Sequence, residues 1–355
     1  MKRMPCSSVP VAAHPVPGLR AWVWLFLCWT VPAWAATFPL PADDSNIVGR
    51  LQVVTADARN TLLDIARHYD LGYEDITAAN PGVSVWLPGK GTPIVVPTEF
   101  ILPSRPWKGI VVNIPQRRLY YFPRHTAREP ATVITFPIGI ARPGWPTPLG
   151  NTKIIAKYKD PSWIVPKDIQ AEHRSQGEAN FPDYFPPGPN NPMGMLALET
   201  GFSQIFIHGT NRPWGVGMEV SHGCVHLYPE NAAYLFPHVP TGTPVRIINQ
   251  PVMVGYRNHQ IYLGVSTPVG EYPGDRDSLL MRTIDEVSHT RNREWPSIDW
   301  DRVRQAVNAR RIMPIPVSID APDVDQLIAS IKPETYDFEP YGIEANDAAP
   351  PGSPR

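Results

Sequence analysis

The chain has 355 residues, too long for one small module and suited to two or three domains of roughly 150 residues each. Its 43% apolar content fills ordinary cores, while 18% charged residues and a net charge of −1 exclude a strongly basic nucleic-acid binder and an acidic disordered chain. The 44 prolines, about 12% against a usual level of about 5%, disfavour long helices and favour short strands joined by rigid turns, so a mainly β protein is predicted.

Residues 1–35 read as a secretory signal peptide. Lys2, Arg3 and Arg20 precede the apolar run Ala21 to Val31, and the small-residue site Ala33-Trp34-Ala35 predicts cleavage before Ala36. The run falls short of the roughly 20 apolar residues a spanning helix needs, so no transmembrane segment is expected in the mature chain, which reads as a secreted or periplasmic protein. Removing those three basic residues takes the net charge from −1 to −4. Cys6 and Cys28 leave with the signal, so the mature chain keeps one thiol, Cys224, which cannot form an internal disulfide.

Residues 48–98 carry a βααβ pattern. Leu51 to Val54 is strand-like; Leu62, Ile65, Ala66 and Tyr69 recur at helical spacing behind Asn60 or Thr61 as a cap; a second helix runs from about Tyr73 to Ala79 and Asn80-Pro81-Gly82 ends it; Ile94 to Pro97 closes the unit. The stretches NTLLDIARHYDLGYEDITAANPG and LPGKGTPIVVP resemble a LysM module, with a degenerate opening strand and turn. That resemblance implies binding to glycan strands; a small structural domain that binds nothing is the other reading.

Residues 107–249 hold short β-rich runs at 110–114, 118–122, 133–136 and 153–156, with Pro115-Gln116 turning the first pair and a Pro-rich surface loop at 180–191. Together with Pro161-Ser162-Trp163 this loop is a candidate lid. Residues 252–335 form a C-terminal α+β subdomain, with a strand pair at 252–265 and a helix near 299–311, and 340–355 reads as a disordered tail.

The chemistry concentrates in IHGTNRPWGVGMEVSHGCVHLYPEN, residues 207–231. It brings Cys224 close in sequence to His208, His222 and His226. A thiol is a weak nucleophile at neutral pH until an imidazole takes its proton, so a Cys/His set points to covalent acyl chemistry through a thiolate. Gly223, without a side chain, lets a substrate carbonyl approach and leaves backbone N–H groups to form an oxyanion hole. Trp214, within the intervening loop, is a candidate groove residue; Trp107, Trp145 and Trp163 are weaker ones. A zinc site built from His208, His222, Cys224 and His226 is a rival reading, although alternate residues on one strand crowd the ligands. A sortase-like transferase and a non-enzymatic wall-binding protein are others.

Ser221-His222-Gly223-Cys224, preceded at fourteen residues by His208-Gly209-Thr210, resembles the active-site signature of the YkuD-type L,D-transpeptidases. Gly144 to Gly150, Asn191 to Met195 and Val239 to Val245 agree with it. The resemblance spans about residues 48–320 and is closest to periplasmic Gram-negative enzymes. It implies a β-sandwich catalytic domain and a cofactor-free, two-step transfer on peptidoglycan stem peptides. Cys224 is then the nucleophile and His208 the general base, its other ring nitrogen held by a backbone carbonyl. His222 and Gly223 complete the catalytic set, and Ser221, Gly209, Thr210, Trp214, Arg212 and His226 bind substrate. The acceptor implied is a diaminopimelate amine, an outer-membrane lipoprotein lysine or, as a carboxypeptidase, water. The family's arginine two residues after the nucleophile is His226 here, so either donor affinity varies with pH or Arg212 compensates. Reaction with carbapenems is also implied.

Overall fold

The computed structural model describes residues 36–342 except 44, 127, 179, 271–277 and 290–296. The predicted signal peptide and most of the predicted tail lie outside the described residues, which all belong to one compact unit.

A nine-stranded sheet organises the molecule, in the order Ala36–Pro39, Thr132–Pro137, Arg118–Phe122, Gly109–Asn113, Pro244–Ile248, Gly150–Lys159, Leu196–Thr200, Phe206–His208 and Val225–His226. The fold is mainly β, as expected, and its two layers come from one sheet curled over itself. The curl is built into the ten-residue strand Gly150–Lys159. Its first half pairs antiparallel with Pro244–Ile248, its second half with Leu196–Thr200, and the register slips between Ile154 and Ala156. A bulge of this kind bends a strand and raises its twist, which turns the last three strands across the first six. Ile110, Val112, Leu119, Phe136, Ile154, Ile207, Val225 and Val245 fill the space enclosed. Helix Pro229–His238 covers one end through Ala232 and Leu235.

The βααβ unit has strands Gln52–Thr55 and Pro93–Val96, paired antiparallel, and helices Leu62–His68 and Tyr73–Ala79. Thr61 caps the first helix: its hydroxyl accepts from the Asp64 amide, and the Asp64 carboxylate accepts from the Thr61 amide. The unit shares a core with the sheet, because Val54, Leu62, Ile65 and Ile76 pack in one cluster with Val111, Tyr120 and Val133. Polar contacts reinforce the junction. Arg118, fully buried on its strand, pairs with Asp75 at 2.8 Å and donates to the Asp70 carbonyl. Arg67 grips Glu230 with two bonds of 2.7 and 2.8 Å, a bidentate geometry.

The C-terminal region adds a three-stranded sheet, Val252–Arg257, Gln260–Val265 and Ile315–Pro316, packed by helix Trp300–Ala309. The chain then returns to the βααβ unit: Glu334 bridges Val54 in parallel, Phe338 stacks on His68 at 4.0 Å, and the Tyr341 amide donates to Asp64. Tyr341, placed by sequence in the disordered tail, is therefore held against a helix. Among the described residues no helix is long and apolar enough to cross a membrane.

Arg118→Ala leaves the buried Asp75 carboxylate without its cation and is expected to lower the unfolding free energy by about 3–5 kcal/mol. Urea titration followed by fluorescence and circular dichroism reads this, and because the core is shared both signals should move in one transition.

Candidate active site

The short strands Phe206–His208 and Val225–His226 pair in parallel, with Ile207 opposite Val225 and His208 opposite His226. Each is apolar where it faces the core, so Ile207 and Val225 are buried and their neighbours emerge on the other face. That alternation delivers Cys224, His208 and His226 to the wall of a cavity of about 1150 Å³. Ser221, His222, Thr210, Arg212 and Trp214 line the same cavity. Gly209 and Gly223 adjoin His208 and Cys224 in the chain and do not line it.

Gly223 has φ +107, a left-handed conformation, and a Cβ there would meet Ile205 Cδ1 at 3.0 Å. Its carbonyl accepts from Thr147 Oγ1 at 2.8 Å. Ser221 Oγ donates to the Cys224 carbonyl at 2.6 Å and accepts from the Gly223 amide at 3.2 Å. Ser221 therefore ties the turn together, and the Gly223 amide is already engaged. Thr210 Oγ1 accepts from the Arg212 amide at 3.0 Å, setting the start of the loop that holds Trp214.

Cys224 keeps part of its surface open to the cavity. Its thiol donates to the Gln204 carbonyl at 3.6 Å. Burial pushes the thiol up to about 11, offset in part by the Phe206 amide. His208 is buried, its Nδ1 donates to the Gly209 carbonyl at 2.6 Å, and burial pushes the ring down to about 4 against backbone hydrogen bonds to Gly209 and Met193. With Nδ1 carrying the proton, Nε2 keeps its lone pair. His226, its ring centroid 4.7 Å from that of His208, is held well below the usual histidine range by burial first and by the two neighbouring histidines. The expected ionisation of His226 below about pH 6.5 is thus displaced, and the ring is neutral across the physiological range. Among the described residues no three His, Cys, Asp or Glu side chains converge as metal ligands.

His222 makes contacts that its sequence position did not foretell. Its Nε2 is 2.9 Å from Glu172 Oε2, the Arg142 guanidinium touches both, and Trp145 meets its ring edge-on at 4.8 Å. Arg142 stands two residues before the Gly144 to Gly150 segment singled out by sequence, and Glu172 lies on helix Lys167–Ser175. That helix sits between strands Trp163–Ile164 and Tyr184–Phe185, which pair antiparallel, so the 161–191 stretch carries regular structure and lines the cavity with Trp163, Ile169 and Phe185. Trp107 is elsewhere, stacked on Phe122. His173 bonds Glu178 at 2.7 Å and also lines the cavity.

The YkuD family, L,D-transpeptidase catalytic domain, matches residues 108–247. Probable L,D-transpeptidase YbiS of Escherichia coli K12 is 38% identical over 291 residues, covering 79% of this chain and 92% of that protein. Probable L,D-transpeptidase ErfK/SrfK of the same strain is 37% identical over 292 residues, covering 80% and 91%. The chain belongs to the L,D-transpeptidase family. A crystal structure of an L,D-transpeptidase from Mycobacterium tuberculosis H37Rv also aligns, at 19% identity over 45% of this chain and 64% of that one, with a TM-score of 0.27.

In this L,D-transpeptidase the thiol and imidazole shift away from each other, which opposes a resting thiolate–imidazolium pair. Alkylation of Cys224 by iodoacetamide, followed by mass spectrometry, should accelerate with pH through pH 9 and 10 without levelling; a plateau below pH 8 would mean a thiolate already formed.

Proposed function

We propose that the protein is an exported peptidoglycan L,D-transpeptidase in which Cys224 is the nucleophile. Sγ attacks the carbonyl of the third stem residue, meso-diaminopimelate, in a tetrapeptide stem. The S–C bond forms, the C–N bond to D-alanine breaks, and the thiol proton passes through His208 Nε2 to the departing amine. An acceptor amine then attacks the thioester: a C–N bond forms, the C–S bond breaks, and the proton lost by the amine returns through His208 to sulfur. Both steps draw only on side chains of this chain.

Membership of the family, together with a cavity lined by Cys224 and the buried His208, supports this reading. A neutral resting pair suits it. Proton transfer accompanies attack, and the enclosed site favours the neutral reactants until substrate arrives. The developing oxyanion needs donors, and the Cys224 amide is the first candidate because the Gly223 amide is given to Ser221. Export rests on the basic, apolar and small-residue pattern of residues 1–35. The LysM-like unit is assigned to glycan strands, which would bring the catalytic face to the wall. A diaminopimelate amine would give a 3→3 cross-link, a lipoprotein lysine an anchor, and water a carboxypeptidase product.

Mature protein incubated with disaccharide-tetrapeptide should release D-alanine, and Cys224→Ala should release none. His208→Gln is expected to lose roughly 100-fold or more in kcat. Release that persists in Cys224→Ala would defeat the assignment, and product masses identify the acceptor.

A further inference from the structure

The family's arginine after the nucleophile is His226 here, a neutral ring at working pH. The cavity is nonetheless furnished with a fixed guanidinium from another part of the chain. Arg142 follows the two-residue strand Ile140–Ala141, which pairs in parallel with Glu219–Ser221, and its amide donates to the Ser221 carbonyl at 3.0 Å. Its backbone is therefore bonded to the segment that leads into Cys224. Its guanidinium touches His222, two residues before the nucleophile, and pairs with Glu172, while the side chain lines the cavity and is 18% exposed. Its Nε is buried with no hydrogen-bond partner. Glu172 does not line the cavity; it backs Arg142 from helix Lys167–Ser175.

A planar cation held from behind by one carboxylate, and presented to a reaction cavity, fits a second carboxylate arriving from the front. The donor stem carries one next to the scissile bond: the terminal carboxylate of the D-alanine to be expelled, separated from the reacting carbonyl by the amide nitrogen and Cα. We propose that Arg142, oriented by Glu172, is the specificity-determining residue that binds this terminal carboxylate. The consequence is selection for stems whose fourth residue is the last, because a longer stem puts an amide where the carboxylate belongs. Arg212, exposed on the same cavity and without an ion pair among the described residues, is the alternative anchor. The inference rests on the acyl-transfer reading above.

The test compares D-alanine release from a disaccharide-tetrapeptide with release of D-alaninamide from the same donor amidated at its terminal carboxyl. Parent enzyme should show a KM for the carboxylate donor roughly tenfold or more below that for the amide, as a lost charged hydrogen bond requires. Arg142→Gln should bring the two donors to the same KM with kcat largely kept, Arg142→Lys should retain part of the preference, and Arg212→Ala should retain all of it. Glu172→Gln separates anchoring from scaffolding. It breaks the same ion pair but leaves the cation and an amide oxygen that can still accept from it, so most of the preference persists; a loss in Glu172→Gln equal to that in Arg142→Gln would make the pair a structural brace and overturn the proposal. So would loss confined to Arg212→Ala, or a parent enzyme that turns over both donors alike. Release of neither product by the parent enzyme would instead remove the acyl-transfer reading beneath it. Thermal unfolding of each variant controls for misfolding, and Arg142→Lys carries the comparison if Arg142→Gln is unfolded.

Discussion

Two short parallel strands, Phe206–His208 and Val225–His226, decide which polar side chains reach the wall of the cavity. Their pairing places His208 beside His226 and brings the turn before Val225, which holds Cys224, to the mouth of the same cavity. Both strands are anchored by buried apolar neighbours, so register cannot slip without turning Ile207 and Val225 out of the core. The same burial sets the electrostatics. A largely desolvated imidazole and thiol both favour their neutral forms, and the partners of His208, the Gly209 carbonyl at 2.6 Å from Nδ1 and the Met193 backbone, orient the ring without adding charge. A catalytic aspartate in that place would have favoured imidazolium; a carbonyl orients the ring and leaves it neutral.

The loop between His208 and Cys224 is braced from outside the catalytic sheet. The Tyr73 amide, at the start of the second helix of the βααβ unit, donates to the Val216 carbonyl at 3.0 Å. Gly217 packs against Gly72 so closely that a Cβ on Gly217 would come within 2.2 Å of the Tyr73 nitrogen. With Arg118–Asp75 and Arg67–Glu230 across the same junction, the βααβ unit is fastened to the sheet and braces this loop. Its position relative to the cavity is fixed by shared core, so glycan captured by that unit would meet the active site at a set geometry.

Much of this was legible in sequence because the signals are local. Helical spacing placed the helices of the βααβ unit within about two residues, and short β-rich runs read at 110–114 and 118–122 fall on the strands Gly109–Asn113 and Arg118–Phe122. The Cys224–His208 constellation is compressed into seventeen residues and could be read directly. What escaped is non-local or weakly patterned. The sheet's curl depends on one register shift in Gly150–Lys159, which two-layer alternation does not reveal. Two-residue strands such as Trp163–Ile164 carry no periodicity at all. Helix Lys167–Ser175 buries only Ile169, so its sequence looks like a polar loop, and Glu172 on it gave no hint of Arg142 thirty residues earlier. Arg142 itself was findable, since it adjoins the Gly144 to Gly150 segment already matched to the family.

The central claim is that a neutral, buried His208 and a protonated Cys224 rest on the wall of one cavity. NMR titration of the imidazole nitrogens in mature protein, assigned with His208→Gln, tests it most directly. The account predicts that His208 keeps its proton on Nδ1 alone through neutral pH and takes a second only near pH 4. A doubly protonated His208 at pH 7 in the parent, lost in Cys224→Ala, would reveal a resting thiolate–imidazolium pair and contradict it.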